Sequence, residues 1–212
     1  MKAIAIINPK GGCGKSTLAT NLAGYLAHHT AGVMLGDVDH QQSSREWLAR
    51  RSGHLPPITT WDIGPDHVAR PPKGVLQAVL DTPAGLAGSM LERVVKASSK
   101  IVVPVLPSPF DLWATQAFLA QLQTIKQVVN GKTDVALVGM RVTPHTRLAD
   151  ELQAFLAAQG LRTLTLIRST QLYPRLAMTG QTVFDVSEAA SRRERDDWQP
   201  LLDWLGQNGA SD

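Results

Sequence analysis

A glycine-rich loop near the start of the printed sequence holds the residues best suited to bind a phosphate chain. It consists, in order, of Lys10, Gly11, Gly12, Cys13, Gly14, Lys15, Ser16 and Thr17. Glycines let successive backbone N–H groups point into one concavity, and a helix that starts at the end of the loop adds positive partial charge. We expect Lys15 to reach the β and γ phosphates, Ser16 to ligate Mg²⁺, and Thr17 to donate to the α phosphate.

The loop departs from the general phosphate-loop pattern at one position. That pattern is G-x-x-x-x-G-K-[ST], and Pro9 stands where the first glycine is usual. Cys13 occupies a variable position, so its identity is expected to be incidental; nothing in the sequence supports the alternative of a redox sensor. A glycine-rich turn that binds no ligand is the alternative for the whole loop.

Two further segments place carboxylates after apolar runs. Asp37 and Asp39 follow the run Val33–Leu35, and Asp81 follows Val75–Leu80. Ligands of parallel α/β sheets bind at the carboxyl ends of the strands, so these side chains are expected near the loop. Helix capping is the alternative role for Asp39, because a helical pattern follows it.

The three segments together resemble the ParA/MinD group of ATPases. The lysine at position 10 resembles the extra lysine of that group's deviant Walker A box. The segment 37–42 is similar to the group's D-x-D-P-Q box, with His40 where proline is usual, and the segment 81–85 is similar to its Walker B region. The match covers most of the chain, but its specific motifs lie within residues 8–111.

This resemblance implies roles for several residues. Lys10 would reach across an ATP-dependent homodimer to the partner's nucleotide and neutralise charge in the transition state. Asp39 would position the attacking water, Asp37 would lie near the Mg²⁺ shell, and Asp81 would hold Mg²⁺ through water. Gly85 would allow a backbone switch that senses the γ phosphate. A solvated loop cation is the alternative for Lys10.

Later matches to the group are looser. Met140 and Arg141 follow the run Asp134–Gly139 at the place where the group has adenine-side contacts, and Arg168 is a second candidate. Ordinary packing at strand ends is the alternative for all three. The segment 102–111 resembles a stretch that flanks the dimer interface in the group.

Composition limits the function further. The 212 residues carry a formal net charge of +3, which is small for a dedicated DNA-reading domain. The single cysteine excludes an intrachain disulfide and a cysteine-ligated zinc or iron–sulfur site held by one chain. No run has the length of a membrane span or of a signal-peptide core, so a cytoplasmic location is expected.

The order of the predicted elements indicates the fold. Short apolar runs alternate with helical patterns, which favours an α/β doubly wound, mostly parallel sheet with helices on both faces. The resemblance to the ParA/MinD group implies a P-loop NTPase fold of the SIMIBI type. We expect one domain over residues 1–212, without an N-terminal helix-turn-helix domain. Specific expectations include one long helix over Leu112–Val129, a helix over Arg147–Ala158 ending at Gly160, a strand over Val183–Val186, and a last helix over Ser187–Leu205 capped by Ser187 and kinked at Pro200.

Within the group, the chain is most similar to a small ParA partition protein. That similarity implies an ATPase whose dimer binds nucleoid DNA non-specifically and segregates a plasmid or chromosome, with hydrolysis stimulated by a ParB-like or small centromere-binding adaptor. Candidate DNA contacts are Arg168, Arg175, Arg192, Arg193 and Arg195. A compensated, solvated helix face is the alternative for the last three. The last predicted helix has acidic polar positions, which anionic lipid would repel, so membrane binding is disfavoured. Positioning of a protein cargo, a membrane-associated positioning ATPase and a metabolic P-loop enzyme remain as alternatives.

Overall fold

The computed structural model describes residues 3–39, 41–61, 75 and 77–207. Its strands are β1 Ala3–Ile6, β2 Val33–Asp37, β3 Ile58–Thr59, β4 Gln77–Asp81, β5 Ser98–Val105, β6 Asp134–Val142 and β7 Arg162–Arg168. Its helices are α1 Lys15–His29, α2 Ser43–Ala49, α3 Gly88–Ala97, α4 Pro109–Leu122, α5 Lys126–Val129, α6 Arg147–Ala158, α7 Leu172–Ala177 and α8 Glu188–Gly206. His40, which stands where proline is usual in the group, lies outside the described residues. The sequence also predicts a strand over Ile58–Ile63, and the last two of these residues lie outside the described residues as well.

The strands form one parallel sheet in the order β3-β2-β4-β1-β5-β6-β7. From β1 the chain passes to β2 and then to β3 at one edge, and it returns to β4, which lies between β2 and β1. It then crosses to β5 on the other side of β1 and builds outward through β6 to β7. The order therefore reverses beside β1, and such a reversal opens a crevice at the carboxyl ends of the strands.

Both faces of the sheet are covered, because alternate strand residues point to opposite sides. Ile4 and Ile6 belong to a core cluster that includes residues of α1, α2, α7 and α8. Ala3, Ala5 and Ile7 belong to a second cluster with residues of α3, α4 and α6. The predicted doubly wound α/β fold is confirmed.

The helix predictions are confirmed for α6 and wrong for the long helix. Helix α6 has the predicted bounds, and Gly160 follows it with a φ of 65°. The predicted helix over Leu112–Val129 is split into α4 and α5 around an extended Ile125. Thr124 Oγ1 donates to the carbonyl of Gln121 at 2.8 Å, and such a side-chain bond competes with helix propagation.

The predicted strand over Val183–Val186 is also wrong, since this segment forms a turn. The backbone N–H of Asp185 donates to the carbonyl of Thr182 at 3.1 Å, and its carboxylate accepts from the Thr182 hydroxyl at 2.7 Å. The side-chain amide of Asn21 in α1 accepts from the N–H of Val183 at 3.0 Å. Polar contacts therefore determine this backbone despite its β-branched residues.

Helix α8 differs from its prediction at Ser187, the expected cap, and at Pro200, the expected kink. Ser187 makes no side-chain cap, and the helix continues through Pro200. The non-helical residue is Ser191, with a φ of −137°, whose hydroxyl donates to the carbonyl of Val183 at 2.8 Å. The distortion thus occurs where a side chain ties α8 to the preceding turn. No helix in the described part of the chain has the length and apolarity needed to cross a membrane.

Candidate functional site

The loop between β1 and α1 is anchored by a buried amide. Asn8 is 1% exposed, and its Oδ1 accepts from the N–H of Lys10 at 2.9 Å. Its Nδ2 donates to the carbonyl of Pro104 at 2.7 Å and to Thr115 Oγ1 at 3.1 Å. The position of Lys10 is therefore linked to β5 and α4. The sequence analysis gave Asn8 no role, although a polar residue directly after a buried strand was the available signal.

Two glycines of the loop have backbone conformations that other residues rarely adopt. Gly12 has a φ of 77° and Gly14 a φ of 96°. A Cβ atom at Gly14 would also lie 2.8 Å from Cε of Met140. The loop is thus shaped by residues without side chains, as expected for a backbone phosphate cradle.

Lys15 is folded back into this loop. Its side chain is largely buried, and Nζ donates to the carbonyl of Lys10 at 2.7 Å. The Cys13 thiol donates to the same carbonyl at 3.3 Å, and burial raises the pKa of that thiol although nearby Lys15 lowers it. Cys13 is therefore a buried neutral thiol. Lys15 holds its charge at the position where a phosphate oxygen could replace the carbonyl.

The two strand-end carboxylates lie side by side, because Asp37 of β2 is the register partner of Asp81 of β4. Asp37 accepts backbone N–H bonds from Asp39 at 3.0 Å, Ser44 at 2.9 Å and Arg45 at 3.2 Å. Burial raises the pKa of Asp37, and these N–H groups oppose the rise. The capping contact that was weighed for Asp39 is therefore made by Asp37.

Asp39 itself lies in the loop before α2. It is half-buried, and its Oδ1 accepts from the N–H of Gln41 at 3.0 Å. This local bond fixes the carboxylate in the loop. Such a carboxylate can orient a water molecule, which is the role implied for it by the resemblance.

Asp81 is 1% exposed, and its two carboxylate oxygens differ in hydrogen bonding. Its Oδ2 accepts from Ser44 Oγ at 2.5 Å, whereas Oδ1 has no hydrogen-bond partner within the described residues. Burial raises the pKa of Asp81 to about 6, and the hydroxyls of Ser44 and Ser16 oppose the rise. A buried carboxylate oxygen without a partner fits the oxygen ligands and bound waters that Mg²⁺ prefers.

The loop after β4 contacts the phosphate loop directly. The N–H of Gly85, which has a φ of 73°, donates to the carbonyl of Pro9 at 2.8 Å. The implied switch glycine and the phosphate loop are thus joined by one backbone hydrogen bond.

A cavity of about 430 Å³ extends from the loop along the carboxyl edge of the sheet. Ser16 and Thr17 line one part of it, and the three residues predicted on the adenine side line another: Met140, Arg141 and Arg168. The volume suits a small-molecule ligand. Trp47 and Tyr173 also line it, and the sequence analysis missed both because α2 and α7 bring them in from distant positions.

Two of the arginines predicted to contact DNA instead contact groups of the protein itself. Arg168 forms a two-pronged pair with Asp197, with both N–O distances at 2.7 Å. Arg195 donates to the carbonyl of Val186 at 2.8 Å and lies against Phe184. The other three candidates are exposed: Arg175, Arg192 and Arg193.

An exposed aromatic pair begins α4. Phe110 is 70% exposed and Trp113 is 63% exposed, and their rings contact each other edge to face with centroids 5.5 Å apart. This pair lies in the first turn of the helix that Asn8 anchors through Thr115.

Comparisons with known proteins agree with this arrangement. Residues 4–183 match the model of the CobQ/CobB/MinD/ParA nucleotide binding domain. The chain is 27% identical over 213 residues to "Maintenance of carboxysome distribution protein A" of Halothiobacillus neapolitanus, covering 94% of each chain. It is 29% identical over 193 residues to "Chromosome-partitioning ATPase Soj" of Thermus thermophilus, covering 74% of this chain and 76% of that one.

A solved structure shares the fold. It is a putative plasmid partition protein from Borrelia burgdorferi B31 bound to AMPPNP, with a TM-score of 0.75 and 17% identity, covering 96% of this chain and 99% of that one. The resemblance stated from the motifs is confirmed. The chain belongs to the CobQ/CobB/MinD/ParA family of nucleotide-binding domains.

Proposed function

We propose that the protein is a Mg²⁺-dependent ATPase that dimerises on ATP and positions a cargo along DNA in the bacterial cytoplasm. The observation that carries this proposal is the convergence of the Lys10–Thr17 loop, Asp39 and Asp81 at one edge of the sheet, beside a cavity of about 430 Å³. The AMPPNP bound to the Borrelia burgdorferi neighbour supports an ATP-type ligand.

In this proposal each group has one task. The loop backbone from Gly11 to Gly14 binds phosphates, and Lys15 exchanges the Lys10 carbonyl for a β or γ phosphate oxygen. Ser16 and Asp81 hold Mg²⁺, which supplies charge neutralisation on the phosphates when bound. Asp39 orients the water that attacks the γ phosphate.

Lys10 acts between subunits. The Asn8 amide fixes its backbone, and its half-buried side chain lies at the rim of the loop. A partner subunit that closes over this edge would receive the lysine charge at its nucleotide, as an arginine finger acts in trans. The exposed Phe110 and Trp113 supply apolar surface for the same closure.

The dimerisation step is tested by light scattering after gel filtration, with and without MgATP. In an Asp39→Ala background, which keeps ATP intact, the chain should double its mass on ATP. Adding Lys10→Ala should abolish the doubling while ATP affinity changes by less than about 3-fold. Lys96→Ala, on the exposed end of α3, is the control. A Lys10→Ala chain that dimerises and hydrolyses ATP normally overturns the cross-subunit role.

DNA binding is tested by a gel shift on random-sequence duplex. Binding should require ATP, weaken with salt, and fall in Arg192→Ala/Arg193→Ala, because neutralised phosphates release counterions. Arg147→Ala removes an equally exposed charge that is paired with Glu151, and should bind normally. A chain that binds no DNA in ATP favours the metabolic P-loop enzyme, and ATP-dependent sedimentation with liposomes favours a membrane-associated ATPase.

The cargo has two candidates. A plasmid or chromosome, recruited through a ParB-like or small centromere-binding adaptor, is supported by the similarity to the chromosome-partitioning ATPase. A protein assembly is supported by the similarity to the carboxysome distribution protein, which extends over 94% of both chains. Identification of the protein that stimulates hydrolysis, by pull-down with the Asp39→Ala dimer, separates them. A centromere-binding protein supports the first candidate, and a protein that belongs to a large protein assembly supports the second.

A further inference from the structure

One buried serine links both strand-end carboxylates and was assigned no function above. Ser44 is 0% exposed and lies in the first turn of α2. Its backbone N–H donates to Asp37 Oδ2 at 2.9 Å, and its hydroxyl donates to Asp81 Oδ2 at 2.5 Å. A serine hydroxyl has one proton to donate, and here it is directed at a carboxylate.

The direction of this hydroxyl is informative because other buried serines behave differently. Ser98, 1% exposed at the other end of the sheet, donates to the carbonyl of Val94 at 2.8 Å, and Ser191 donates to the carbonyl of Val183. Those bonds satisfy backbone groups. The Ser44 bond is short and charge-assisted when Asp81 is ionised, which is the stronger class of hydrogen bond.

The bond also determines which oxygen of Asp81 is free. With Oδ2 engaged by Ser44, Oδ1 is left without a hydrogen bond within the described part of the chain. A carboxylate held at one oxygen cannot rotate freely, so the orientation of the other oxygen toward the loop is fixed. Groups in this position around a metal ligand tune its orientation and affinity.

We propose that Ser44 is a positioning residue for the Mg²⁺ site, which orients Asp81 through its hydroxyl and Asp37 through its N–H. This inference rests on the proposed function as a Mg²⁺-dependent ATPase. The N–H of Val38 also donates to the carbonyl of Asp81 at 2.9 Å, so the segment from Val38 to Ser44 touches Asp81 at both of its ends. Asp39 lies in the same segment, so Ser44 is near the water-orienting carboxylate along the chain as well.

The test compares Ser44→Ala with Ser98→Ala, which also removes a buried hydroxyl but lies far from the loop. Affinity for a fluorescent ATP analogue is measured in EDTA and across a Mg²⁺ titration. Ser44→Ala should bind the analogue in EDTA as the wild type does, and should need about 10-fold more Mg²⁺ for half of the Mg²⁺-dependent gain. Ser98→Ala should match the wild type in both measurements.

Ser44→Thr retains the hydroxyl and provides the rescue. Its Mg²⁺ requirement should fall to within about 3-fold of the wild type, well below the roughly 10–100-fold cost of losing an outer-shell contact. Equal impairment of Ser44→Thr and Ser44→Ala, or a wild-type Mg²⁺ requirement in Ser44→Ala, overturns the inference while leaving the ATPase proposal intact. A wild-type chain that binds no ATP analogue in either buffer overturns both.

Discussion

Two irregular segments pack beside α1, and they are held in opposite ways. In the phosphate loop, residues 8–17, the buried Lys15 ammonium donates to a neutral backbone carbonyl, that of Lys10. The turn at residues 180–187 is fixed by side chains from far along the chain. Arg51 donates to both oxygens of Asp185 at 2.8 and 2.9 Å, and His28 lies 2.9 Å from the same carboxylate.

This difference separates function from stability. In the phosphate loop the buried Lys15 ammonium is bound to a neutral carbonyl, which a charged phosphate oxygen can replace. The turn at 180–187 has its buried charge fully paired, since Arg51 is 4% exposed and Asp185 is 0% exposed. Mutations in the first segment should therefore affect binding, and mutations in the second should affect folding.

The largest effect is expected where the buried pair is broken. Arg51→Ala should lower the free energy of unfolding by about 3–5 kcal/mol, because it leaves the Asp185 carboxylate buried without its main partner. Urea denaturation followed by circular dichroism measures this loss.

The neighbouring Arg50 provides the control. It pairs with Glu46 on the surface, with 51% and 69% of the two side chains exposed, and Arg50→Ala should cost less than about 1 kcal/mol. Equal losses for Arg50→Ala and Arg51→Ala would remove the distinction between the two segments.

The second effect concerns the phosphate loop. Lys15→Ala should weaken ATP binding by about 100-fold or more, equivalent to about 2.7 kcal/mol, because the charge that meets the β and γ phosphates is lost. The free energy of unfolding should change by less than about 1.5 kcal/mol, the scale of one hydrogen bond. Calorimetric titration with ATP and urea denaturation measure the two quantities. A Lys15→Ala chain that is chiefly unstable would show that this loop, too, serves folding.

The third effect is a pH dependence of the free energy of unfolding, which arises from Asp185 in the turn at 180–187. Burial alone would raise the pKa of Asp185, but hydrogen bonds from Arg51, Thr182 and His28 lower it to about 2. The Asp185 carboxylate therefore takes up a proton more readily in the unfolded chain than in the folded one. The stabilisation of the fold by the ionised carboxylate is present above about pH 4 and is lost as the pH falls toward 2.

This loss should amount to about 2 kcal/mol, at 1.36 kcal/mol for each unit of pKa difference. Urea denaturation at several pH values measures it, with Asp185→Asn as the comparison that removes this titration. The gap in stability between wild type and Asp185→Asn should narrow over that range. A gap that is constant with pH would show that Asp185 titrates alike in both states.

The same contrast explains what the sequence could predict. The residues of the phosphate loop, Asp37, Asp39 and Asp81 follow strand ends in recognisable local patterns, so their meeting at one edge was predictable from parallel-sheet geometry. Within the turn at 180–187, only Val183–Val186 had a predicted structure, and that prediction was a strand because the segment is apolar and β-branched. Arg51, which pairs with Asp185 of this turn, lies 134 positions away, and no local sequence pattern predicts that contact.

Tertiary contact also explains the smaller errors and omissions. Gly180, with a φ of 67°, packs directly against the backbone of Arg50 and Arg51, where a Cβ atom would not fit. Arg168, one of the predicted DNA contacts, pairs with Asp197 and lines the cavity. Ser44 was missed because its function depends on two carboxylates from different strands.

The five tryptophans occupy sites of very different character, and this gives the protein built-in optical probes. Trp204 is buried in the core away from the cavity lining, so its emission should change chiefly on unfolding. Trp47 lines the cavity and should report its filling, whereas Trp113, at 63% exposure, should be the residue most accessible to a soluble quencher such as iodide. Protection of Trp113 and a change at Trp47 would then be separate fluorescence signals, one for association and one for ligand entry.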